Sequence, residues 1–271
     1  MIGKQDLHIH TTYCDGVLPP EEMIKEAVLR GGKSIGFSEH AYIEFDLHYS
    51  MTPEATRLYI SEIKSLKEKY KDEIEVFLGL ELDYHSDPPP EGLDYTIGTS
   101  HYLIKDGSVF SVDAGSKRQQ EIADTFYSGD YYSLAEDYFS KLSGIIDKTN
   151  ADIAGHFDLV AKYNFDGSKF DEMHPRYVRA ALGAMDEILK KCRIFEINTG
   201  AMYRQGKSMQ YPSTFLLTEL FKRNGEILIS SDSHNATSLY YKFDEMCELL
   251  KTCGFRYIKH LTGDGFIDVR L

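Results

Sequence analysis

The sequence contains no tryptophan and only four cysteines among its 271 residues. The cysteines are scattered along the chain without a C-x-x-C pair, at Cys14, Cys192, Cys247 and Cys253. This spacing argues against both a disulfide scaffold and a zinc site built from thiolates. We therefore predict four reduced thiols in a cytoplasmic protein.

Long apolar segments and clusters of basic residues are also missing. No apolar run approaches the roughly 20 residues that a membrane-spanning helix needs, and the opening MIGKQDLHIH lacks the pattern of a secretory signal. The 43 acidic residues outnumber the 30 basic ones, and the net charge is −13. We predict neither a membrane partner nor a long nucleic acid as partner. An anionic substrate would need positive charge from a local source, such as bound metal ions.

The sequence does contain a regular alternation of strand-like and helix-like segments. Seven apolar segments of strand length alternate with helix-like ones, beginning at Lys4–His10 and ending with EILISSDSH at 226–234, and only the third is followed by a loop, DPPPEG. Short connections of this kind favour a parallel sheet with helices outside it, and seven repeats favour a barrel over an open sheet. A Gly-x-Gly-x-x-Gly turn is missing after the first strand, which argues against dinucleotide binding. Because no linker interrupts the chain, we predict a single domain over residues 1–271.

Residues with metal-binding or acid–base chemistry fall at the carboxyl ends of the predicted strands. Strand by strand they are His8 and His10, with Asp15 in the next loop, then His40, Glu81, His101, His156 with Asp158, Asn198, and Asp232 with His234. In α/β barrels this end carries the active site. Residues two apart on a strand, such as His8 and His10, point to the same side and can face one ion. Imidazole mixed with carboxylate suits zinc, iron, manganese or cobalt, so we predict a multinuclear transition-metal site.

Six motifs carry a resemblance to a known family. In chain order, DLHIHTTYCDG, SEH, GLELD, SHY, GHFDL and SDSH are similar to the motifs of the PHP (polymerase and histidinol phosphatase) superfamily, and they span residues 6–234. The resemblance implies a protein of the α/β class, a distorted (β/α)7 TIM-like barrel with its active site at the carboxyl ends of the strands. Within the superfamily, GLELDY and TPEATRLYISEIKSLKEKY most resemble the histidinol-phosphate phosphatases.

The resemblance also implies three divalent transition-metal ions, with zinc, iron and manganese left open. Carried over residue by residue, the first ion takes His8, His10, Glu81 and Asp232, the second takes Glu81 as a bridge with His101 and His156, and the third takes Asp15, His40 and His234. Many relatives have histidine in place of Asp15, which still supplies an oxygen ligand. Glu39 stands where aspartate is frequent in the superfamily, and we expect it to orient a ligand imidazole.

The expected reaction is hydrolysis of a small phosphate monoester by a hydroxide that bridges the first two ions. Asp158, two residues beyond His156, is a candidate for handling the proton of the departing alkoxide, or alternatively a hydrogen-bond acceptor. Lys162 and Arg204 are candidates for binding phosphate oxygens, or alternatively solvated cations. Asn198 either donates to the substrate or caps a turn.

The resemblance favours an enzyme, a histidinol-phosphatase that converts L-histidinol phosphate to L-histidinol and phosphate in histidine biosynthesis. The alternatives are a PHP phosphoesterase for nucleotides or nucleic-acid ends, and a non-catalytic metal-binding PHP scaffold. A barrel of the amidohydrolase type is a further alternative, but it often bridges its ions through a carbamylated lysine, and Glu81 occupies that place here. The sequence contains no signal for an oligomeric state.

Overall fold

The computed structural model describes residues 3–271, and its main feature is a sheet of parallel strands rolled almost into a barrel. The strands are β1 (Lys4–Asp6), β2 (Gly32–Phe37), β3 (Glu75–Asp83), β4 (Tyr95–Thr99), β5 (Tyr102–Lys105), β6 (Ser108–Ser111), β7 (Ile153–Ala154), β8 (Ile194–Asn198), β9 (Glu226–Ser230), β10 (Tyr257–Thr262) and β11 (Gly265–Arg270). In the described residues the sheet has seven strands in the order β1-β2-β3-β4-β7-β8-β9. Beyond β1 and β9, Ile9 pairs with Ser233 in parallel and joins the two edges. The predicted distorted (β/α)7 barrel is confirmed.

Helices cover the outside of the sheet and connect its strands. They are α1 (Pro20–Leu29), α2 (Pro53–Tyr70), α3 (Ser116–Tyr127), α4 (Tyr131–Leu142), α5 (Ile145–Thr149), α6 (Pro175–Ile188), α7 (Gly200–Arg204), α8 (Thr214–Lys222) and α9 (Phe243–Cys253). The helices α1, α2 and α6 start at proline, which lacks an N–H that the first turn would leave unpaired. Over residues 3–271 the helices are too short or too polar to cross a membrane.

The segment after His101 forms regular structure where the sequence predicts only an irregular loop. After His101 the chain forms the antiparallel hairpin β5–β6, with Asp106 and Gly107 in its turn at φ of 51° and 74°. An Asp-Gly pair favours a two-residue hairpin turn because both residues tolerate positive φ. The signal was therefore present in the sequence, and the hairpin brings the segment after Ser111 back to the barrel.

Two other segments refine the predicted boundaries. The helix-like sequence of residues 118–150 forms α3, α4 and α5, and Ser128 and Gly129 end α3 with positive φ. The strand-like sequence of residues 151–159 forms a strand only at β7, because the chain turns after it into a short 3-10 helix. Residues two apart in that turn no longer share a face.

Two apolar cores stabilise the barrel. The larger core lies between the strands and the helices. The smaller core lies inside the barrel and comprises Leu7, Phe77, Tyr95, Ile97, Ile153, Ile194, Leu228 and Leu261. Leu261 belongs to β10, and its backbone exchanges two hydrogen bonds of 2.8 and 2.7 Å with the Gln5 side chain on β1. The hairpin β10–β11 therefore closes the amino end of the barrel, and the polar strand ends lie at the other.

Candidate metal centre

The polar residues predicted at the strand ends meet at the carboxyl end of the barrel. Parallel backbone pairs hold several of these segments in register beyond the strands themselves. His10 N donates to Ser233 O (2.8 Å), and Ser233 N donates to His8 O (3.0 Å). A second parallel bridge joins His40 to Glu81. The backbone therefore fixes which side chains face one another before any ligand is present.

A first group of donor atoms forms around one oxygen of Glu81. His8 Nε2 and His10 Nε2 lie 3.3 and 3.4 Å from Glu81 Oε2, and 3.9 and 3.5 Å from Asp232 Oδ1. A tetrahedral ion with ligands at about 2.0–2.2 Å separates those ligands by roughly 3.3–3.6 Å. Three of the four distances fall in this range and the fourth, from His8 Nε2 to Asp232 Oδ1, exceeds it by about 0.3 Å, so the four side chains are close to the spacing of ligands around one small cation.

A second group forms around the other oxygen of the same carboxylate. His156 Nε2 lies 2.9 Å and His101 Nε2 3.5 Å from Glu81 Oε1. All three side chains are buried. Glu81 thus presents one oxygen to each of two neighbouring groups of imidazoles, as a bridging ligand must.

A third group lies nearer to solvent. His234 Nε2 is 3.0 Å from Asp15 Oδ2, and His40 Nε2 is 3.6 Å from Asp15 Oδ1. The Asp15 side chain is 30% exposed, against 1% for Glu81. His40 Nδ1 also lies 2.8 Å from Glu81 Oε2, so this group adjoins the first one.

The backbone around Asp232 is shaped for its carboxylate. Asp232 has a φ of 48°, a conformation that non-glycine residues rarely adopt outside functional sites. Arg204 holds the carboxylate with two hydrogen bonds, Nη1 to Oδ1 at 3.2 Å and Nη2 to Oδ2 at 2.8 Å. A Cβ at Gly200 would lie 3.0 Å from Asp232 Oδ2 and 2.9 Å from Arg204 Nη2. Position 200 therefore requires glycine for this close approach.

Several buried nitrogens of the cluster lack a partner. Within the part of the chain that the structure describes, His8 Nε2, His10 Nε2 and His40 Nε2 have no hydrogen-bond partner. A buried polar atom left unpaired costs about 1–3 kcal/mol, and three of them side by side need a common explanation. Bound cations would satisfy all three. The grouped imidazoles and carboxylates are thus suited to bind divalent metal ions.

Glu81 and His10 have the protonation states that suit this chemistry, whereas Glu196 and Glu81 raise the pKa of His8 despite its burial. Burial opposes ionisation of Glu81, but the surrounding imidazoles, first His40 and then His8, hold its pKa well below the usual range. Burial lowers the pKa of His10, and the neighbouring His40 and His234 lower it further. An ionised carboxylate and a neutral imidazole are the forms that bind a metal ion.

Glu196 was missed by the sequence reasoning. It is fully buried on β8, where Oε2 accepts hydrogen bonds from His8 Nδ1 (2.8 Å) and Ser230 Oγ (2.6 Å). Its other oxygen accepts from the backbone N–H of His156 (2.6 Å). By accepting from Nδ1 it leaves Nε2 of His8 facing the cluster. The available signal was a lone charged residue in the apolar strand RIFEIN, two positions before Asn198 on the same face.

Cys14 and Glu39 form a further unexpected contact. Cys14 Sγ lies 2.6 Å from Glu39 Oε2 and 3.4 Å from His10 Nδ1. Glu39 also accepts from Thr11 N at 3.1 Å. Glu39 was expected to orient an imidazole directly, but it reaches His10 through the thiol. Cys14 is thus a member of the donor cluster and more than an ordinary reduced thiol.

A cavity of about 160 Å³ adjoins the cluster. Besides residues of the three groups, it is lined by Tyr49, Asp113, Leu159, Lys162, Arg204 and Tyr211. Lys162 Nζ lies 3.0 Å from Asp113 Oδ2, and the two side chains are 9% and 16% exposed. The two cations predicted to bind phosphate therefore both line the cavity, each paired with a carboxylate.

Two predicted site residues do not line this cavity. Asn198 Nδ2 donates to Glu196 Oε1 (3.0 Å) and Asp232 Oδ2 (3.3 Å), and its Oδ1 accepts from Gly200 N (2.9 Å) at the start of α7, which matches the predicted alternative that it caps a turn. Asp158 Oδ2 accepts from the backbone N–H of Ser213, next to α8 (3.0 Å), and burial raises its pKa to about 7. This contact matches the alternative role predicted for Asp158, a hydrogen-bond acceptor.

The remaining histidines lie outside the cluster, as expected from their sequence positions. His48 is exposed, and His85 and His260 are partly buried. His174 caps α6 by accepting from Arg176 N (3.2 Å). The histidines that meet at the barrel mouth are therefore the six at the strand ends.

Comparison with known proteins agrees with the fold. A relative from Deinococcus radiodurans named "probable histidinol-phosphatase" is 26% identical, covering 95% of this chain and 96% of its own. The histidinol-phosphatase of Bacillus subtilis is 24% identical, covering 90% and 98%. The crystal structure of histidinol phosphate phosphatase from Lactococcus lactis, complexed with zinc, L-histidinol and phosphate, superimposes with a TM-score of 0.73 at 21% identity over 97% of this chain and 98% of that one.

The family itself follows from the match to a family model. The model of the PHP domain matches residues 6–200, which is more than half of the chain. The matched range contains His8, His40, Glu81, His101 and His156. The chain therefore belongs to the PHP domain family.

Proposed function

We propose that this chain is a metal-dependent phosphoric monoester hydrolase, a histidinol-phosphatase that converts L-histidinol phosphate to L-histidinol and phosphate. The observation that carries the proposal is the meeting of imidazoles, carboxylates and two cations around one cavity at the carboxyl end of the barrel. Two relatives that bear this name align over 95% and 90% of this chain. The zinc, L-histidinol and phosphate in the Lactococcus lactis structure are a metal and the two products of this reaction.

In the proposed site, three divalent ions, each zinc, iron or manganese, are held by three overlapping sets of ligands. The sets are His8, His10, Glu81 and Asp232; Glu81, His101 and His156; and Asp15, His40 and His234. The first two sets are supported by the separate approach of His8 and His156 to the two oxygens of Glu81, at 3.3 and 2.9 Å. When bound, the ions would activate a water molecule and neutralise charge on the phosphoryl oxygens.

The chain's own residues position these groups and the phosphate. Arg204, whose Nη1 and Nη2 already donate to Asp232, lines the cavity as one cation for the phosphate, and Lys162 lines it as a second. Glu196 fixes the ring of His8, and Asn198 fixes the carboxylate of Asp232. The reacting phosphoryl group would thus meet a fixed arrangement, which lowers the entropic part of the barrier.

We further propose that residues 1–271 act as one domain in the cytoplasm. The four cysteines are free thiols in the structure. Unpaired thiols suit a reducing compartment.

The proposal is tested by steady-state kinetics with measured metal content. Protein stripped of metal and reloaded separately with zinc, iron(II) or manganese should release phosphate from L-histidinol phosphate, and the stripped protein should not. We expect kcat/KM for this substrate to exceed that for nucleoside monophosphates by at least about tenfold, a difference of about 1.4 kcal/mol in transition-state binding. A reversed ranking would favour a nucleotide phosphoesterase. Metal-replete protein without phosphate release would favour a non-catalytic scaffold.

A further inference from the structure

Asp113 differs from the other carboxylates that line the cavity. Asp15, Glu81 and Asp232 each lie within 3.5 Å of a histidine of the cluster. In the described part of the chain, Asp113 instead forms its ion pair with Lys162, at 3.0 Å. The cavity therefore holds one carboxylate whose ion-pair partner is a lysine, although its charge also acts on His101.

The hairpin β5–β6 places Asp113 firmly. Val112 is buried directly before it, and its backbone N–H donates to His101 O at 2.8 Å. Ser111 Oγ donates to Asp113 Oδ1, and Tyr163 OH donates to the backbone carbonyl of Asp113 at 2.5 Å. A carboxylate held in this way does not need to be ordered by the substrate, so its contacts contribute more fully to binding.

The proposed substrate contains a matching group. L-histidinol phosphate carries an amine, protonated at neutral pH, on the carbon next to the one that bears the phosphate ester oxygen. A carboxylate can accept about four hydrogen bonds, and Ser111 and Lys162 account for two of those of Asp113. An ammonium group has three donors and no acceptor, so it needs such a partner when it enters a cavity lined by Arg204 and Lys162.

We propose that Asp113 binds the ammonium group of the substrate and thereby selects phosphate esters of 2-amino alcohols. This inference rests on the proposed function, and it names the group that distinguishes this substrate from other monoesters. The ammonium nitrogen lies three bonds from the ester oxygen, so fixing it also restricts the position of the leaving oxygen relative to the cations. Lys162, which shares Asp113, is then placed between the ammonium site and the phosphate.

The alternative is that Asp113 only holds Lys162 in place. The two roles differ in their dependence on the substrate. A carboxylate that positions Lys162 serves every phosphate ester equally. One that binds an ammonium serves only the substrates that have it.

The experiment compares two substrates on two enzymes. The substrates are L-histidinol phosphate and the phosphate ester of 3-(imidazol-4-yl)propan-1-ol, which is the same molecule without the amine. For metal-loaded wild type we expect kcat/KM to be about 10- to 100-fold higher with the amine, as for a hydrogen bond to a charged group. Asp113→Asn should lose that preference, with a similar fold-loss on L-histidinol phosphate and less than about threefold on the amine-free ester.

The matched control is Asp106→Asn, the same change at an exposed position in the turn of the same hairpin. It should leave both values within about twofold. Equal losses on both substrates in Asp113→Asn would assign Asp113 to Lys162 and overturn the proposal. If wild type does not distinguish the two esters, the proposal is overturned without any variant. The test therefore works even if Asp113→Asn does not fold. Wild type inactive on L-histidinol phosphate but active on other monoesters would instead overturn the proposed function, and the assignment of Asp113 with it.

Discussion

The two ends of the barrel are built from the same strands with opposite chemistry. At the amino end, side chains such as Phe77, Ile153 and Leu261 form a closed apolar cluster. At the carboxyl end, buried imidazoles and carboxylates face one another, and His8 Nε2 and His10 Nε2 are unpartnered among the described residues. One end gains free energy from packing, at about 25 cal/mol per Å² of buried apolar surface. At the other end, the burial of polar groups costs free energy, and a bound cation offsets this cost.

This contrast shows how a single sheet separates stability from chemistry. Strand residues alternate between faces, but the barrel also changes character along each strand. On β3, Phe77 lies in the amino-end core and Glu81, four residues later on the same face, lies in the metal centre. The distance between them lets either end change with little effect on the other. Substitutions at the carboxyl end should therefore lower activity with little effect on stability, and substitutions at the amino end should do the opposite.

The largest expected effect is the loss of activity in Glu81→Gln. Because one carboxylate serves two groups of imidazoles, its replacement should lower bound metal and reduce kcat/KM at least about 1,000-fold, which corresponds to about 4 kcal/mol. The metal-free variant should melt near the temperature of metal-free wild type, whereas the rise in melting temperature on adding zinc should be smaller. Phosphate release, elemental analysis and thermal melts measure the three quantities.

The control for this variant is Glu91→Gln, the same change in the exposed loop between β3 and β4. It should retain activity, metal content and the zinc-dependent rise in melting temperature. Normal turnover by Glu81→Gln would exclude the bridging role. A large loss of stability in its metal-free form would show that the mouth contributes to folding as the amino end does.

The opposite result is expected at the amino end, where Leu261→Ala removes a buried side chain from the apolar cluster. The free energy of unfolding should fall by about 2–5 kcal/mol, from lost burial and the cavity left behind. At a temperature where the variant stays folded, kcat/KM should remain within about twofold of wild type. Denaturant titration and phosphate release measure the two effects.

Ile267→Ala is the matched control in the same hairpin, because Ile267 is 47% exposed. Its stability should change by less than about 1 kcal/mol. Loss of turnover in folded Leu261→Ala, in proportion to its loss of stability, would show that the two ends are coupled and would break the comparison.

The sequence allowed much of this contrast to be predicted, for a physical reason. Parallel strands end at the same edge, so residues at strand ends such as His8, His101 and Asp232 could be expected to converge without knowledge of their distances. Glu196 was missed because its role depends on which imidazole lies across the barrel. Asp113 was missed because its position depends on a hairpin that the sequence analysis left irregular.

The sequence left two roles open for Asp158 for a related reason. Counting two residues from His156 assumes an extended strand, whereas β7 ends at Ala154 and the chain turns. A period of two cannot be carried through a turn. The local backbone, which long-range packing determines, decided the direction of this side chain.

The smallest expected effect on activity tests where the metal centre ends, through Asp158→Asn. The amide keeps an oxygen that can accept from Ser213 N, so both the fold and the cavity should remain intact. We expect kcat/KM within about threefold of wild type, whereas loss of a proton donor typically costs about 100- to 10,000-fold. Asp158→Ala is the matched variant, because it removes the acceptor as well and should lower the free energy of unfolding by about 1–3 kcal/mol with the same turnover. A fall in kcat/KM of more than about 100-fold in Asp158→Asn, with normal metal content, would show that Asp158 takes part in the reaction. The catalytic residues would then include one that does not line the cavity.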